Sequence, residues 1–166
     1  MTPRTRRFLA GPLLPLSALA AAFLLSLAAY ALLRPPVEGR IFFYPDNSGQ
    51  RIGTERRGIP ARRSLEGRIR VFLEELFLGP SVLEWTDAVP RGTDVRHVAV
   101  VGKTAYIDLG RRMLDADAEL PVAFDASLAI LERNIAYNFP RIEEIVFTIE
   151  GRQVGAPYFS GIDGSE

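Results

Sequence analysis

His97 is the only histidine in the chain, so a Ser-His-Asp triad would have to use it as the base. Arg96 precedes it, and both residues lie in a valine-rich run typical of a β-strand. The sequence contains no Gly-x-Ser-x-Gly turn, which exposes the nucleophilic serine in many hydrolases. We therefore expect His97 to be a surface or edge-strand histidine rather than a catalytic base.

Three acidic residues at alternate positions resemble part of a calcium-binding loop. Asp115, Asp117 and Glu119 fit its first, third and fifth positions. Such a loop has glycine at its sixth position and glutamate at its twelfth, whereas this chain has Leu120 and Ala126 there. A solvated loop is the favoured interpretation, and the sequence predicts neither a metal ion nor another cofactor.

Asp108 stands between an apolar run and a loop, in the sequence YIDLG. A carboxylate at this place can cap the following segment or pair with a neighbouring arginine, and no second acid at a fixed spacing supports a catalytic pair. We predict a structural role for Asp108. An envelope hydrolase, the enzymatic alternative, would need a nucleophile with its base or a set of metal ligands, and we predict that the protein is not an enzyme.

Five arginines lie close together in an otherwise irregular stretch of sequence. They are Arg51, Arg56, Arg57, Arg62 and Arg63. Near an anionic surface each basic residue contributes roughly 1 kcal/mol of attraction, so the cluster is a candidate contact for lipid headgroups or a polyanionic wall polymer. The alternative is a solvated loop whose charge is offset by Asp46 and Glu55.

Trp85, the only tryptophan, lies in a loop near Phe77 and Leu83. Tryptophan is over-represented among the residues that dominate protein interfaces, which makes Trp85 a candidate partner contact. The alternative is a tryptophan that follows a helix and covers the end of the hydrophobic core. Both interpretations stay open at this point.

Residues 8–33 form an uncharged apolar run, with arginines at positions 4, 6 and 7 before it and at position 34 after it. As a helix this run would extend about 39 Å, more than the roughly 30 Å hydrocarbon core of a bilayer. The excess of arginine before the run predicts a cytoplasmic N-terminus and an extracytoplasmic remainder. We favour a single-pass anchor in the cell membrane. The alternative is a signal peptide cleaved near residues 29–31, which would leave a secreted or periplasmic protein.

Beyond the apolar run the chain is moderately acidic. Without the four flanking arginines, 16 of the 20 basic residues remain against 20 acidic ones, a formal net charge of −4 for residues 35–166. Nucleic-acid binding requires a basic surface, so this balance disfavours it. Because the chain has no cysteine, it has neither a disulfide framework nor a cysteine for lipid attachment, and packing alone must hold the fold.

The first half of this outer part alternates strand-like and helix-like segments. Arg40–Tyr44 predicts a first strand, and residues 51–63 are predicted to be irregular, apart from an optional short strand at 52–57. Ser64 is a suitable N-cap for an amphipathic helix, which Gly79 would end in a left-handed conformation.

The second half predicts two strands, a helix and a final strand. Gly102-Lys103 suits a two-residue hairpin turn between the two strands, the helix covers about 122–138, and the final strand lies within 143–151. The order β-α-β-β-α-β predicts an α+β fold. Its expected form is a two-layer α/β sandwich, with two helices on one face of a small mixed sheet.

Five blocks of the sequence resemble the sporulation and spore germination (GerMN) domain family. They are FFYPDNSGQ at 42–50, FLEELFLGP at 72–80, AVPRGTDV at 88–95, TAYIDLG at 104–110 and EEIVFTIEG at 143–151. The resemblance implies a small α/β domain similar to the ring-building modules of secretion and sporulation channels, with no known enzymatic activity. This chain departs from the better-known spore proteins because it has a single copy behind an anchor.

The predicted organisation is therefore a cytoplasmic stub and anchor at 1–34, a linker at 35–39, a GerMN-like domain at 40–152 and a tail at 153–166. The predicted function is a non-catalytic module outside the membrane that binds an envelope protein or its own copies. The uncovered sheet face and the edge strands would provide the contacts. The alternative is a module that binds peptidoglycan or an anionic wall polymer.

Overall fold

The structure is a computed structural model that describes residues 13–33 and 36–154. The chain separates into two compact units, Met1–Pro36 and Val37–Glu166. The four arginines that flank the apolar run, the first residues of that run and the tail from residue 155 lie outside the described residues.

Helix α1 (Leu13–Leu33) is the described part of the first unit. Within it, Pro15–Leu33 has a mean hydropathy of 2.2, and none of this stretch is buried. It is long and apolar enough to cross a membrane, and a signal sequence has the same properties. The predicted N-terminal apolar helix is therefore present.

The second unit contains strands and helices in alternation. They are β1 (Val37–Pro45), β2 (Ile52–Pro60), α2 (Leu65–Phe77), β3 (Val95–Val101), β4 (Thr104–Leu109), a 3-10 helix (Arg111–Asp115), α3 (Ala116–Glu119), α4 (Phe124–Asn138), β5 (Glu144–Ile149) and β6 (Arg152–Gln153).

The described strands form two sheets. β1 and β2 pair antiparallel along their whole length, from Val37 opposite Pro60 to Pro45 opposite Ile52. The other sheet has the order β3-β4-β5-β6, and its β4–β5 pair is parallel whereas its other two pairs are antiparallel. The predicted α+β class and mixed sheet are confirmed. The strands divide between two sheets, instead of forming one, because β1 pairs with β2 and not with the later strands.

Helix α2 has the predicted ends. The Ser64 hydroxyl accepts a hydrogen bond from the Gly67 N–H at 3.1 Å, which satisfies one of the free donors of the first turn. Gly79 has a φ of +83°, a left-handed conformation that glycine adopts without a steric penalty. The predicted turn at Gly102-Lys103 is also present, since Val101 pairs with Thr104 and Gly102 has a φ of +62°.

The hydrophobic core lies between the helices and the strands of both sheets. α2 packs against β3, and α4 packs against β1. The Phe42 and Phe72 rings stack with their centroids 4.7 Å apart, and Phe139 meets Phe72 edge-on at 5.5 Å. The Tyr44 hydroxyl donates to the carbonyl oxygens of Leu76 and Gly79, both at 3.2 Å, so the C-terminal end of α2 is fixed to β1.

Most of the stretch 51–63, which was predicted to be irregular, forms β2, and β2 contains the optional short strand predicted at 52–57. Its inward positions are Gly53, Glu55, Arg57 and Ile59, so only the last has the apolar side chain that marks a buried strand face. Residues 52–60 form a strand because they pair with β1, which their side-chain pattern does not indicate.

Two of the predicted domain boundaries fall within strands of the described structure. Val37–Gly39, placed in the linker 35–39, belong to β1 and pair with residues 58–60. Gln153, placed in the tail 153–166, pairs with Thr148, and Val154 packs against the core.

Candidate functional site

One long edge of β1 is closed by amide side chains from α4. The Asn134 amide accepts from Phe43 N–H and donates to Phe43 C=O, both at 2.9 Å. Asn138 does the same with Ile41, at 3.1 Å and 2.6 Å. Four residues of helix rise about 6 Å, close to the rise of two residues of strand, so the two amides match alternate strand residues. α4 therefore substitutes for a neighbouring strand.

This arrangement determines which way the backbone of β2 points. Phe43 and Ile41 direct their N–H and C=O groups away from β2, and their antiparallel partners are Thr54 and Arg56. In an antiparallel pair, the backbone N–H and C=O groups of two opposite residues either bond to each other or both point away from the partner strand. The N–H and C=O groups of Thr54 and Arg56 therefore point to the far side of β2.

The far edge of β2 is unpaired. The backbone groups of Thr54, Arg56 and Gly58 have no hydrogen-bond partner among the described residues, and β2 has β1 as its sole neighbour in the sheet. All three residues are exposed. A strand of nine residues with a free edge is an available template for another strand. We call the outward backbone groups of these three residues the β2 edge.

The side chains on the inward face of β2 form an ionic network. Arg57 is 13 % exposed and donates to Glu55 at 2.8 Å and to the Gly79 carbonyl at 2.7 Å, with its guanidinium 5.4 Å from the Phe42 ring centroid. The hydrogen bond from Arg57 lowers the pKa of Glu55 to about 2. Glu55 also accepts from the Ser81 N–H at 3.0 Å, so the network joins β2 to the loop after α2.

The structure separates the five predicted arginine contacts. Arg57 points inward, as described, whereas the side chain of Arg51 is 80 % exposed and pairs with Asp46 at 3.0 Å. Arg56, Arg62 and Arg63 are exposed and form no ion pair within residues 36–154. Their side chains are thus the members of the cluster that a partner or polymer can reach.

Trp85 lies against β2 rather than in free solution. Its ring contacts Gly53, where an added β-carbon would lie 2.3 Å from ring atoms. Trp85 is half-buried and packs against the core, and its backbone forms an isolated antiparallel β-bridge with that of Asp46. These contacts agree with a tryptophan that covers the end of the core, and they leave part of the residue accessible.

Asp108 has a structural position. Its carboxylate accepts from the Thr148 hydroxyl and the Gly151 N–H, both at 2.8 Å, and lies 3.8 Å from Arg96 Nε. Burial alone would raise the pKa of Asp108, but these partners outweigh burial and lower it. The predicted arginine pairing is confirmed, whereas the predicted cap is not, because the following 3-10 helix has no side-chain cap. His97 lies opposite Asp108 in the strand pair and is exposed.

The acidic residues of the calcium-like segment have protein partners. Asp115 and Glu119 each accept from Arg112 at 2.6 Å, and Asp117 accepts from the Phe124 N–H at 2.6 Å, which begins α4. Within residues 13–33 and 36–154, no group of three His, Asp or Glu side chains could hold a metal ion.

Comparison with known families identifies the chain. The family model Germane, described as sporulation and spore germination, matches residues 41–155. The chain belongs to the Germane family. This match covers both sheets except the first four residues of β1, and it confirms the resemblance that the sequence blocks indicate.

Solved structures of GerMN domains are similar to parts of this chain. The first GerMN domain of the sporulation protein GerM from Bacillus subtilis is similar to 70 % of this chain and 86 % of its own, with 17 % identity and a TM-score of 0.50. The tandem GerMN domains of the same protein give 14 % identity over 72 % of this chain and 41 % of theirs, with a TM-score of 0.45. No curated protein sequence matches the chain.

Proposed function

We propose that this Germane protein is a non-catalytic binding module that adds a strand from an envelope protein, or from a second copy of itself, to the β2 edge. The observation that supports this proposal is the unpaired edge, which offers the N–H and C=O groups of Thr54, Arg56 and Gly58. In strand addition, main-chain hydrogen bonds provide affinity and alternate side chains provide specificity. The charge of Arg56 would discourage indiscriminate pairing.

The proposed module is carried outside the cell membrane by α1. One observation supports this part: the helix is long and apolar enough to span a bilayer. The non-catalytic part of the proposal is supported by the related sporulation domains, which are not known as enzymes. The absence of cysteine gives a clean test, because Arg56→Cys creates the single thiol of the chain. A membrane-impermeant maleimide should label this thiol in intact cells, and labelling only after lysis would contradict the proposed location.

The same variant tests the β2 edge. A photoreactive maleimide attached to Arg56→Cys should cross-link a second copy or an envelope protein after illumination of intact cells. Glu132→Cys provides the matched control, because Glu132 is exposed on α4 away from β2. Products from position 56 alone would support the proposal. Identical products from both positions, or none from position 56, would refute it.

A second candidate is a module that binds an anionic wall polymer or peptidoglycan. It is supported by the exposed guanidinium groups of Arg56, Arg62 and Arg63, which form no ion pair within residues 36–154. The test is cosedimentation with purified peptidoglycan. Arg56→Gln/Arg62→Gln/Arg63→Gln should abolish pelleting, whereas Arg111→Gln, at another exposed position, should not. Pelleting no greater than that of an inert protein would remove this candidate.

A further inference from the structure

A cleft of about 490 Å³ lies where β1, the start of α2 and the end of α4 meet. This volume is within the range of small-molecule sites in proteins. Its lining residues are Arg40, Arg63, Leu65, Arg68, Asn138, Phe139, Pro140 and Arg141. Four of the eight are arginines and none is acidic, so the cleft concentrates positive charge in a protein unit that is acidic as a whole.

Only part of this charge is compensated by the protein. Glu38 accepts from Arg40 and Arg68, the latter at 3.0 Å, and no other acid pairs with the cleft arginines among the described residues. Arg63 and Arg141 are exposed and form no ion pair within residues 36–154. Four guanidinium groups therefore face one carboxylate, an excess of three positive charges.

The two deeper arginines are held in place before any ligand arrives. Arg40 is 12 % exposed, donates to the Asn138 carbonyl at 2.6 Å and lies with its guanidinium carbon 4.7 Å from the Phe139 ring centroid. Its Nε atom and that of Arg68 are buried and have no hydrogen-bond partner among the described residues. An unpaired buried donor is costly, so these arginines carry more donor capacity than Glu38 and Asn138 accept.

We propose that this cleft is a binding site for a phosphate-type oxyanion. A phosphate offers several acceptor oxygens and up to two negative charges, and arginine binds it through paired donors. The anion can be free phosphate or the headgroup of an anionic lipid, since Arg40 follows the last residue of α1 by seven positions in the sequence. The site goes beyond the proposed strand addition and shares no residue with the β2 edge.

The test uses the full chain in a neutral detergent, with inorganic phosphate as the probe. Phosphate should raise the unfolding temperature, followed by Trp85 fluorescence, in a saturable way that acetate at equal ionic strength does not reproduce. Arg63→Gln/Arg141→Gln should weaken phosphate binding and raise the half-saturating phosphate concentration roughly tenfold or more. Arg62→Gln/Arg111→Gln, an equal loss of charge at exposed positions outside the cleft, should leave it unchanged.

A second arm identifies the source of the phosphate. The same proteins in nanodiscs of phosphatidylcholine, with and without phosphatidylglycerol, are unfolded in phosphate-free buffer. Stabilisation by phosphatidylglycerol that Arg63→Gln/Arg141→Gln removes would assign the site to a lipid headgroup, and stabilisation by inorganic phosphate alone would assign it to a soluble anion. The proposal is overturned if neither probe stabilises the protein, if acetate acts equally, or if the control pair loses the effect as well.

Discussion

Replacing Asn134 with leucine tests how the edge of β1 is closed. Asn134 is fully buried, and its amide provides the partners of both the N–H and the C=O group of Phe43. Leucine has a similar size and cannot hydrogen-bond, so two buried backbone groups would lose their partners. Each such loss costs about 1–3 kcal/mol, so Asn134→Leu should destabilise the domain by roughly 2–6 kcal/mol. Typical domains have only about 5–15 kcal/mol of stability, so the effect is large.

The assay is urea unfolding of the full chain in a neutral detergent, followed by fluorescence of Trp85, the only tryptophan. Ala136→Leu is the matched control, because Ala136 is exposed on the same helix and the change should cost less than about 0.5 kcal/mol. If Asn134→Leu lowers the free energy of unfolding by no more than the control does, α4 does not close the edge of β1. The conclusion that the backbone groups of Thr54 and Arg56 point outward then loses its basis.

Three further changes probe the elements around the β2 edge. Gly53→Ala should cost about 1–3 kcal/mol and shift the fluorescence of Trp85, since the new β-carbon would lie 2.3 Å from the indole ring. Gly79→Ala should cost at least about 1 kcal/mol, because the residue has a φ of +83° and its β-carbon would lie 2.2 Å from Asp87. Because the pKa of Glu55 falls to about 2 in the folded state, its stabilising contribution is present above the unfolded pKa near 4.5 and is lost as the pH falls toward 2. Glu55→Gln should therefore lower stability at pH 7 and flatten the loss of stability below pH 4.5 in acid titrations.

Matched variants control two of these predictions. Gly39→Ala meets only the flexible end of the Arg56 side chain, at 3.3 Å, and should cost less than Gly53→Ala. Glu132→Gln changes an exposed acid outside any ion pair within residues 36–154 and should leave the acid titration unchanged. Equal effects in variant and control would show that the contacts named above do not determine stability.

The sequence predicts those elements whose signals are local. α2 has a capping serine, a stripe of apolar residues and a terminal glycine, and all three appear as expected. The turn at Gly102-Lys103 likewise needs only neighbouring residues. The family resemblance rests on five local blocks, and the family match from residue 41 to 155 confirms it.

The candidate site could not be predicted, because its signals are long-range. The inward side of β2 has Gly53, Glu55 and Arg57, so no apolar alternation marks the strand, and its order comes from pairing with β1. Asn134 and Asn138 interrupt the apolar stripe of α4, and their partners lie 91 and 97 residues away. The sequence did contain one signal: two asparagines four positions apart on the buried face of a helix. Such a pair can bond the backbone edge of a strand through its side-chain amides.

The central claim is that the β2 edge mediates association, and a proline at position 54 tests it most directly. The backbone N–H of Thr54 donates no hydrogen bond to another described residue, so Thr54→Pro removes an outward donor and blocks strand addition. Edge strands tolerate proline at positions where the N–H faces outward. Thr54→Val keeps the donor and serves as the control. Cross-linking from Arg56→Cys in membranes should yield a product in the valine background and none in the proline background. Equal yields, with both proteins folded by circular dichroism, would contradict the account.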